Sequence, residues 1–391
     1  MARLTRRDAL LSAALVSTLP LLLDSKKAAA QGKTPRPLVH VTDLFRPHND
    51  PDDHWDLATS YALAFRDALD LVAVLADNPE NIEKLPELKK ALADAMDSGV
   101  YATRNPDVAA VAQLNYITGK EVPVTTGTIW PGIPGEKVRE DNLPKELRGV
   151  NMLLDILKRS SQPVAILTAG SCQDVAIAGR TEPRLFEEKC AGIYLNAGVS
   201  SQKPKEQWEW NVSLNSGAYA TMFELPCPIY WMPAYHALTK TGIVSGEYGT
   251  YFSFQQKEIL PHLSDRLQAF FAYMLSKESG TNWLSYLLDP ANKNSAQKYF
   301  DDERGMCCTA GFLHAAGKIV TSDGEIVSLQ TANEAAAFEF VPIEVRCNAD
   351  GITDWRKAKK ATNRWIFRVR DTTKYREAMV TALKSILVQI P

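Results

Sequence analysis

Oxygen-bearing side chains cluster in one short stretch of the chain, between a predicted strand and a predicted helix. The stretch carries five of them within eleven positions, namely Asp43, Asn49, Asp50, Asp52 and Asp53. An apolar run before the cluster predicts a strand entering a core, and a helical pattern follows it. Carboxylates at the carboxyl end of a strand suit a hard cation or the hydroxyls of a sugar.

The same acids also fit a simpler structural role. Asp50 followed by Pro51 is a good start for a helix, and Asp52 and Asp53 would favour the positive end of its dipole. Capping does not account for Asp43, which precedes the helix by several residues. The sequence therefore leaves two interpretations of this stretch, a helix start and a ligand site.

Apolar runs and amphipathic stretches alternate along the rest of the chain, and unbroken apolar runs indicate strands buried on both faces. This alternation predicts an α/β fold with a doubly wound, mainly parallel sheet. The predicted strands after the first are Leu69–Ala76, Val122–Thr126, Pro163–Thr168, Ile193–Leu195 and Ile229–Met232. The stretch Ile82–Met96 predicts a surface helix, and Trp130–Gly135 predicts a loop.

The second half of the chain has a different pattern. A helical insertion is predicted from Phe252 to about Ala316, followed by a small C-terminal α+β elaboration. That elaboration should contain strands at Lys318–Leu329, Phe338–Arg346 and Arg364–Arg370 and a closing helix at Thr373–Leu387. We therefore expect one domain over residues 35–316, with residues 317–391 packed on it.

The N-terminus has the order of charge, apolar run and small residues that marks a secretory signal. Paired Arg6 and Arg7 precede the apolar run Ala9–Leu23, and alanines at 28–30 offer a cleavage site. This predicts a twin-arginine signal over residues 1–30 and a periplasmic or secreted bacterial protein. No stable membrane span is expected after processing.

The composition and the missing motifs exclude several classes of partner and activity. The 391 residues carry a formal net charge of −2, and no basic patch alternates with aromatic residues, so we expect no nucleic-acid partner. Phosphate-loop, serine-hydrolase and zinc-protease motifs are missing from the sequence. The six cysteines are few for an exported chain of this length and predict mostly buried thiols, with one unassigned bridge left open. A homo-oligomer is also left open.

Ligands of open α/β sheets bind beyond the carboxyl ends of the strands. Besides Asp43, the residues predicted there include Asn78, Asn196 and His236. Together they predict a surface that grips a small polyhydroxylated ligand, such as a ribosyl or other sugar group. Each has an ordinary alternative, because asparagines close turns and His236 could be a half-buried core residue. Asp56, on the predicted helix, is expected to be solvated.

The stretch Glu206–Asn211 reads E-Q-W-E-W-N. Its two tryptophans flank Glu209 and could stack on a flat ring while Glu209 and Asn211 hold hydroxyls. The alternative is a packed loop in which the tryptophans are core anchors.

In order and spacing, these motifs resemble those of the inosine-uridine preferring nucleoside hydrolases. The resemblance covers about residues 37–240 and is looser to about residue 316. It rests on V-T-D…N-D-P-D-D-H-W-D-L, L-V-A-V-L-A-D-N, P-V-A-I-L-T-A-G-S-C-Q-D-V-A, R-T-E-P-R, I-Y-L-N-A-G, E-W-N and P-I-Y-W-M-P.

The resemblance implies hydrolysis of the N-glycosidic bond of a ribonucleoside with a bound calcium ion. It implies that Asp43 is both a calcium ligand and the general base on a calcium-bound water. It further implies that Asp53 is a second ligand and that the carbonyl around Ala169 completes the metal shell. A metal-bound water loses its proton more readily, and nearby anions stabilise an oxocarbenium-like sugar.

For the substrate, the resemblance implies that Asp52 and Asn78 hold ribose hydroxyls and that Glu209 and Asn211 grip the far side of the sugar. We include Asn196 as a further candidate contact to the sugar, because it is predicted at the end of a strand. The sequence thus predicts a glycosidic-bond hydrolase with five candidate sugar-contacting side chains.

The sequence departs from the family pattern at several places. The spacing from Asp43 to the next acids is longer than in the family, and Asn196 stands where a methionine is usual. Val41 stands where the first aspartate of the family motif is expected, and the C-terminal His-Asp pair falls at about Met306–Thr309, where Cys307 and Cys308 stand. A thiol is a poor ligand for a hard cation. The alternative hypothesis is therefore a catalytically silent or altered relative that binds a sugar or nucleoside without the calcium and acid pair. His314 lies too far along the chain to replace that pair.

Overall fold

The computed structural model describes residues 34–46, 52–79, 105–130, 132–133, 135–239, 242–278, 280–331 and 334–391. The predicted signal segment, the residues from Asn49 to Pro51 and the predicted helix Ile82–Met96 lie outside this part of the chain. Residues Arg36–Pro391 form one compact unit.

The strands account for most of the predicted apolar runs. In chain order they are β1 (Arg36–Thr42), β2 (Phe45–Arg46), β3 (Leu69–Ala76), β4 (Asn105–Pro106), β5 (Val124–Thr126), β6 (Val164–Ala169), β7 (Cys190–Asn196), β8 (Ile229–Trp231), β9 (Ala237–Thr239), β10 (Gly242–Val244), β11 (Phe252–Gln255), β12 (Glu303–Met306), β13 (Lys318–Val320), β14 (Ile326–Ser328), β15 (Phe338–Cys347), β16 (Thr353–Lys357) and β17 (Arg364–Val369).

Within the described residues, nine strands form one sheet in the order β16-β15-β17-β8-β7-β6-β1-β3-β5. From β17 to β5 every neighbouring pair is parallel, whereas β15 and β16 are added antiparallel at one edge. Strands β15, β16 and β17 of the last 75 residues therefore extend the same sheet, with β17 directly beside β8, whereas β13 and β14 form a separate hairpin. The predicted mainly parallel α/β fold is confirmed.

The helices cover both faces of the sheet. They are α1 (Asp52–Phe65), α2 (Val108–Thr118), α3 (Arg148–Arg159), α4 (Gln173–Thr181), α5 (Pro183–Lys189), α6 (Trp210–Leu214), α7 (Ser216–Met222), α8 (Asp265–Leu275), α9 (Trp283–Leu288), α10 (Thr309–Ala315) and α11 (Tyr375–Leu387). Among the described helices, none combines the length and apolar character needed to cross a bilayer.

Two apolar layers result. One contains the buried sides of α1, α2, α8, α10 and α11, and the other those of α3, α4, α5 and α7. Val39 and Val41 of β1 face the second layer, whereas Leu38 faces the first. Because both faces are covered, the parallel strands lack polar positions along most of their length, and polar side chains collect at the strand ends.

The strand ends are aligned. Thr42 pairs with Ala76 of β3 on one side and with Ala169 of β6 on the other. Ala169 in turn pairs with Asn196, the last residue of β7. The residues that follow β1, β3, β6 and β7 consequently lie in one row along the edge of the sheet, which we call the strand-end row.

Candidate functional site

Asp43 is at the centre of the strand-end row. It follows β1 directly, its side chain is buried, and its Oδ2 accepts a hydrogen bond of 3.1 Å from the indole Nε1 of Trp210. Its carboxyl group is also hydrogen-bonded to that of Asp53. Burial, and then the negative charge of Asp77, raise the pKa of Asp43 to about 7, although the bonds to Asp53 and Trp210 oppose the shift. A carboxyl with this pKa can accept a proton near neutral pH.

Helix α1 supplies the second carboxyl of the pair. Asp53 lies in its first turn, buried, and its Oδ1 accepts a 2.7 Å hydrogen bond from the hydroxyl of Thr42 at the end of β1. Asp52 is half-buried and its Oδ1 accepts from the backbone N–H of Asp53. Asp53 is therefore fixed toward β1, and Asp52 lies beside it at the helix start.

Asp77 is a third buried acid, and sequence reasoning missed it in favour of its neighbour Asn78. Its carboxylate accepts from the backbone N–H and the hydroxyl of Ser171, at 2.6 and 2.8 Å. Burial raises its pKa despite these bonds. Gly170, with φ of +131°, lets this turn approach closely, since a Cβ there would lie 2.7 Å from Asp77 Oδ2.

The two-residue period of a strand could have identified Asp77. Leu75 of β3 and Val41 of β1 face the same apolar layer, and Asp77 and Asp43 each follow two residues later. Asn78 is instead half-buried, and its backbone oxygen accepts a long 3.5 Å hydrogen bond from Gln173.

The E-W-N stretch combines a helix cap with a contact to the row. Glu209 is buried as the N-cap of α6, and it accepts from the backbone N–H groups of Gly198, Asn211 and Val212 at 2.8, 3.0 and 3.1 Å. Burial raises its pKa, and these amide bonds oppose the shift. The carboxylate thus joins α6 to the turn after β7, and this engagement limits what it can offer a sugar hydroxyl.

Asn211 extends this connection. Its side-chain amide donates to the backbone oxygen of Asn196 at 3.0 Å. Trp210, next to it, is half-buried and donates to Asp43, whereas Trp208 is 38% exposed. One short helix therefore orients Asp43 and contacts the end of β7, a role for Trp210 that sequence reasoning missed.

Asn196 and Cys308 are in contact at the next position of the row. The Cys308 thiol donates to Asn196 Oδ1 at 3.3 Å, and the Asn196 amide donates to the backbone oxygen of Met232 at 3.0 Å. Cys308 is also hydrogen-bonded to Asp56, and burial followed by the charge of Asp56 raises the pKa of the thiol.

The expectation that Asp56 is solvated was wrong, because its side chain is only 1% exposed. It lies one turn after Asp52 and Asp53, on the side of α1 that faces the row.

The remaining candidates lie at or near this edge. Ala169 ends β6 between Thr42 and Asn196. His236 is half-buried and its Nδ1 is 3.0 Å from the hydroxyl of Ser200. All six cysteines are free thiols and five are buried, as the cysteine count predicts.

The oxygen atoms of the row are of the type that calcium binds, but they are few. Calcium takes six to eight oxygen ligands. The carboxyl groups of Asp43 and Asp53 are hydrogen-bonded to each other, and Ala169 lies between Thr42 and Asn196 in the same row. Among the described residues, no group of three or more His, Cys, Asp or Glu side chains is arranged to hold a metal ion. The donor set fits calcium only if water and ligand hydroxyls supply the rest.

This arrangement defines the chain as an α/β protein with a row of buried carboxyl groups at its strand ends. No family model and no curated protein matches the sequence. Among solved structures, the effector protein XOO4466 is similar at a TM-score of 0.50 and 12% identity, over 95% of this chain and 99% of that one.

Two further solved structures are nucleoside hydrolases. The purine-preferring ribonucleoside hydrolase of Gardnerella vaginalis has a TM-score of 0.49 at 13% identity, over 90% of this chain and 99% of its own. The inosine-uridine preferring nucleoside hydrolase of Bacillus anthracis has a TM-score of 0.41 at 12% identity, with the same coverage. The likeness to XOO4466 is a likeness of fold alone, and it agrees with the α/β fold that the sequence predicts.

Proposed function

We propose that the protein is an exported hydrolase that cleaves the N-glycosidic bond of a nucleoside-like substrate, with Asp43 as general base. The observation that carries this proposal is the environment of Asp43. It is a buried carboxyl with a pKa raised to about 7, oriented by Trp210 and facing a second carboxyl at the ligand-binding edge of the sheet. Perturbed carboxyls of this kind are typical of acid–base catalysts.

In the proposed reaction a water attacks the anomeric carbon of the ribose as the bond to the base breaks, and the base leaves with the bonding electron pair and takes a proton from solvent. Asp43 takes a proton from that water, and Asp53 and Asp77 supply the negative charge that favours an oxocarbenium-like sugar. Asp52, Asn78, Asn196, Glu209 and Asn211 are the proposed contacts to the sugar.

Calcium is the proposed cofactor, held by Asp43, Asp53 and the carbonyl of Ala169. When bound, the ion would lower the pKa of a water ligand and so supply the nucleophile. It would also displace the proton that Asp43, with a pKa of about 7, partly retains at neutral pH, since a nearby cation favours the ionised carboxyl. Loading should therefore release protons, which a pH-stat can measure.

A second candidate is a sugar- or nucleoside-binding relative without hydrolytic activity. Two contacts favour it. Cys308 stands where the resemblance implies a calcium-binding acid, with its thiol bonded to Asn196 and a raised pKa. Glu209 is engaged by three backbone amides. Such a protein would keep the ligand-facing row and lack a donor for the departing base.

Activity on a substrate panel separates the two candidates. Purified protein is incubated with purine and pyrimidine nucleosides and simple glycosides, and free base and reducing sugar are measured. Hydrolysis that Asp43→Asn abolishes, and that Asp70→Asn at an exposed position of β3 leaves intact, supports the enzyme. Binding of a nucleoside, measured by calorimetry, without turnover supports the binding protein. If neither hydrolysis nor binding is observed, both candidate functions are overturned.

Export is tested separately. We expect the mature protein in the periplasm or medium to begin near residue 31, as measured by mass spectrometry. Replacing Arg6 and Arg7 by lysine should retain the unprocessed chain in the cytoplasm. A chain processed and exported equally well in that variant would contradict the twin-arginine assignment.

A further inference from the structure

A cavity of about 650 Å³ lies away from the strand-end row, beneath α10 and the β13–β14 hairpin. Five of its eleven lining side chains are aromatic, and these five come from the sheet and the end of α10. They are Tyr230, His314, Phe338, Phe340 and Trp365. Small-molecule sites usually have this volume range and this mixture of aromatic walls with a few polar groups.

The aromatic wall is rigid before any ligand arrives. Tyr194, Tyr230 and Trp365 occupy paired positions on β7, β8 and β17. Their rings are stacked, with Tyr230 centred 4.8 Å from Tyr194 and 4.9 Å from Trp365. Phe340 meets Tyr230 edge to face, at 75°. A flat ligand ring that enters the cavity meets aromatic side chains that are already held in place. Little binding free energy is therefore spent on ordering those side chains.

The polar groups of the cavity are a neutral imidazole and a few charged side chains at the rim. His314 Nδ1 is 2.8 Å from the Tyr194 hydroxyl, which leaves Nε2 as the second polar atom of the imidazole. Burial lowers the pKa of His314 to about 4, so the ring is neutral at pH 7. At the rim, Arg370 forms a 2.9 Å ion pair with Glu339. Glu334 adds a second carboxylate to the lining, so the cavity offers hydrogen bonding and disfavours anionic ligands.

We propose that this cavity is a second ligand site, for a planar uncharged heteroaromatic molecule that pairs with the imidazole of His314. It is separate from the proposed hydrolytic site. Cys308 contacts Asn196 just before the first residue of α10, whereas His314 is near its last residue, about 10 Å further along a seven-residue helix.

Benzimidazole is a suitable probe, because it is flat, largely neutral at pH 7.5, and carries one donor and one acceptor. Calorimetric titration into the full protein should give one site with a dissociation constant below about 1 mM. Leu329→Trp fills the cavity from its lining and should weaken binding at least tenfold. Leu288→Trp, at a side chain 51% exposed elsewhere, is the matched control and should bind like the parent.

Two further variants locate the bound ring. His314→Phe keeps an aromatic ring but removes the polar edge, and should also weaken binding at least tenfold, which keeps the test valid if Leu329→Trp does not fold. Asp43→Asn should leave benzimidazole binding unchanged. No binding by the parent, full binding by His314→Phe, or loss of binding in Asp43→Asn would each overturn the proposal. The last result would place the ring in the strand-end row.

Discussion

Asp43→Asn should abolish activity and at the same time stabilise the fold at neutral and alkaline pH. Asp43 is buried against Asp77, and its pKa rises from 3.8 to about 7 in the folded protein. An acid with a raised folded-state pKa gives stability that is fully present below about pH 4 and is lost as the pH rises through 7. Asparagine has the same shape, stays neutral, and can still accept from Trp210.

The size of the pKa shift of Asp43 sets the stability gain that is expected for Asp43→Asn. Each pKa unit corresponds to about 1.4 kcal/mol, so the approximately three-unit shift of Asp43 costs the folded protein on the order of 4 kcal/mol above pH 7. At pH 5 the unfolded chain is ionised and the folded protein is not, so the cost is about 2 kcal/mol. The gain in unfolding free energy of Asp43→Asn should therefore increase with pH and be near zero at pH 4.

Urea unfolding between pH 4 and 8.5, followed by tryptophan fluorescence with a chelator present, measures this gain. Asp70→Asn, at an exposed strand position, is the control and should show a flat difference from the parent. If the unfolding free energy of Asp43→Asn differs from that of the parent by the same amount at every pH, the raised pKa of Asp43 is refuted. If it is more stable but still hydrolyses nucleosides at the parental rate, the acid is buried as described and its role as general base is refuted.

Three other changes test the neighbours of Asp43. Asp53→Ala should remove calcium-dependent thermal stabilisation, and a parent whose midpoint does not respond to calcium would count against the metal. Trp210→Phe removes the N–H that favours ionised Asp43, so the acidic limb of the pH–rate profile should move to higher pH, and an unmoved limb would exclude this contact. Glu209→Gln leaves the cap of α6 with one acceptor oxygen and should cost about 1–2 kcal/mol in urea unfolding, whereas no loss would mean that the cap is dispensable.

Much of the sheet could be predicted because its strands are short apolar runs with turn residues at their ends. Leu69–Ala76 is observed with the predicted bounds, and Phe338–Cys347 is one residue longer than predicted. The place of β17 beside β8 could not be predicted. Residues far apart in sequence form that pair, and local periodicity contains no information about which strands become neighbours.

The candidate site was predictable in part for the same reason. Asp43 and Asp53 follow from local pattern, since one ends a strand and the other begins a helix. The Trp210–Asp43 bond joins residues 167 positions apart, and the contact of Cys308 with Asn196 joins residues 112 apart. Burial of Asp56 follows from that second contact, because α10 covers a helix face that would otherwise be solvated. Such contacts require the topology first.

Helix α10 is also pressed closely against the sheet, and Gly311 makes this possible. A Cβ at Gly311 would lie 2.7 Å from the Met232 sulfur and 3.0 Å from a methyl of Leu167. Cys308, just before the helix, touches the strand-end row, and His314 touches the aromatic cavity. A side chain at 311 would meet the ends of the Met232 and Leu167 side chains, which would have to move for the helix to keep its place. Packing at this one glycine therefore couples the strand-end row to the aromatic cavity.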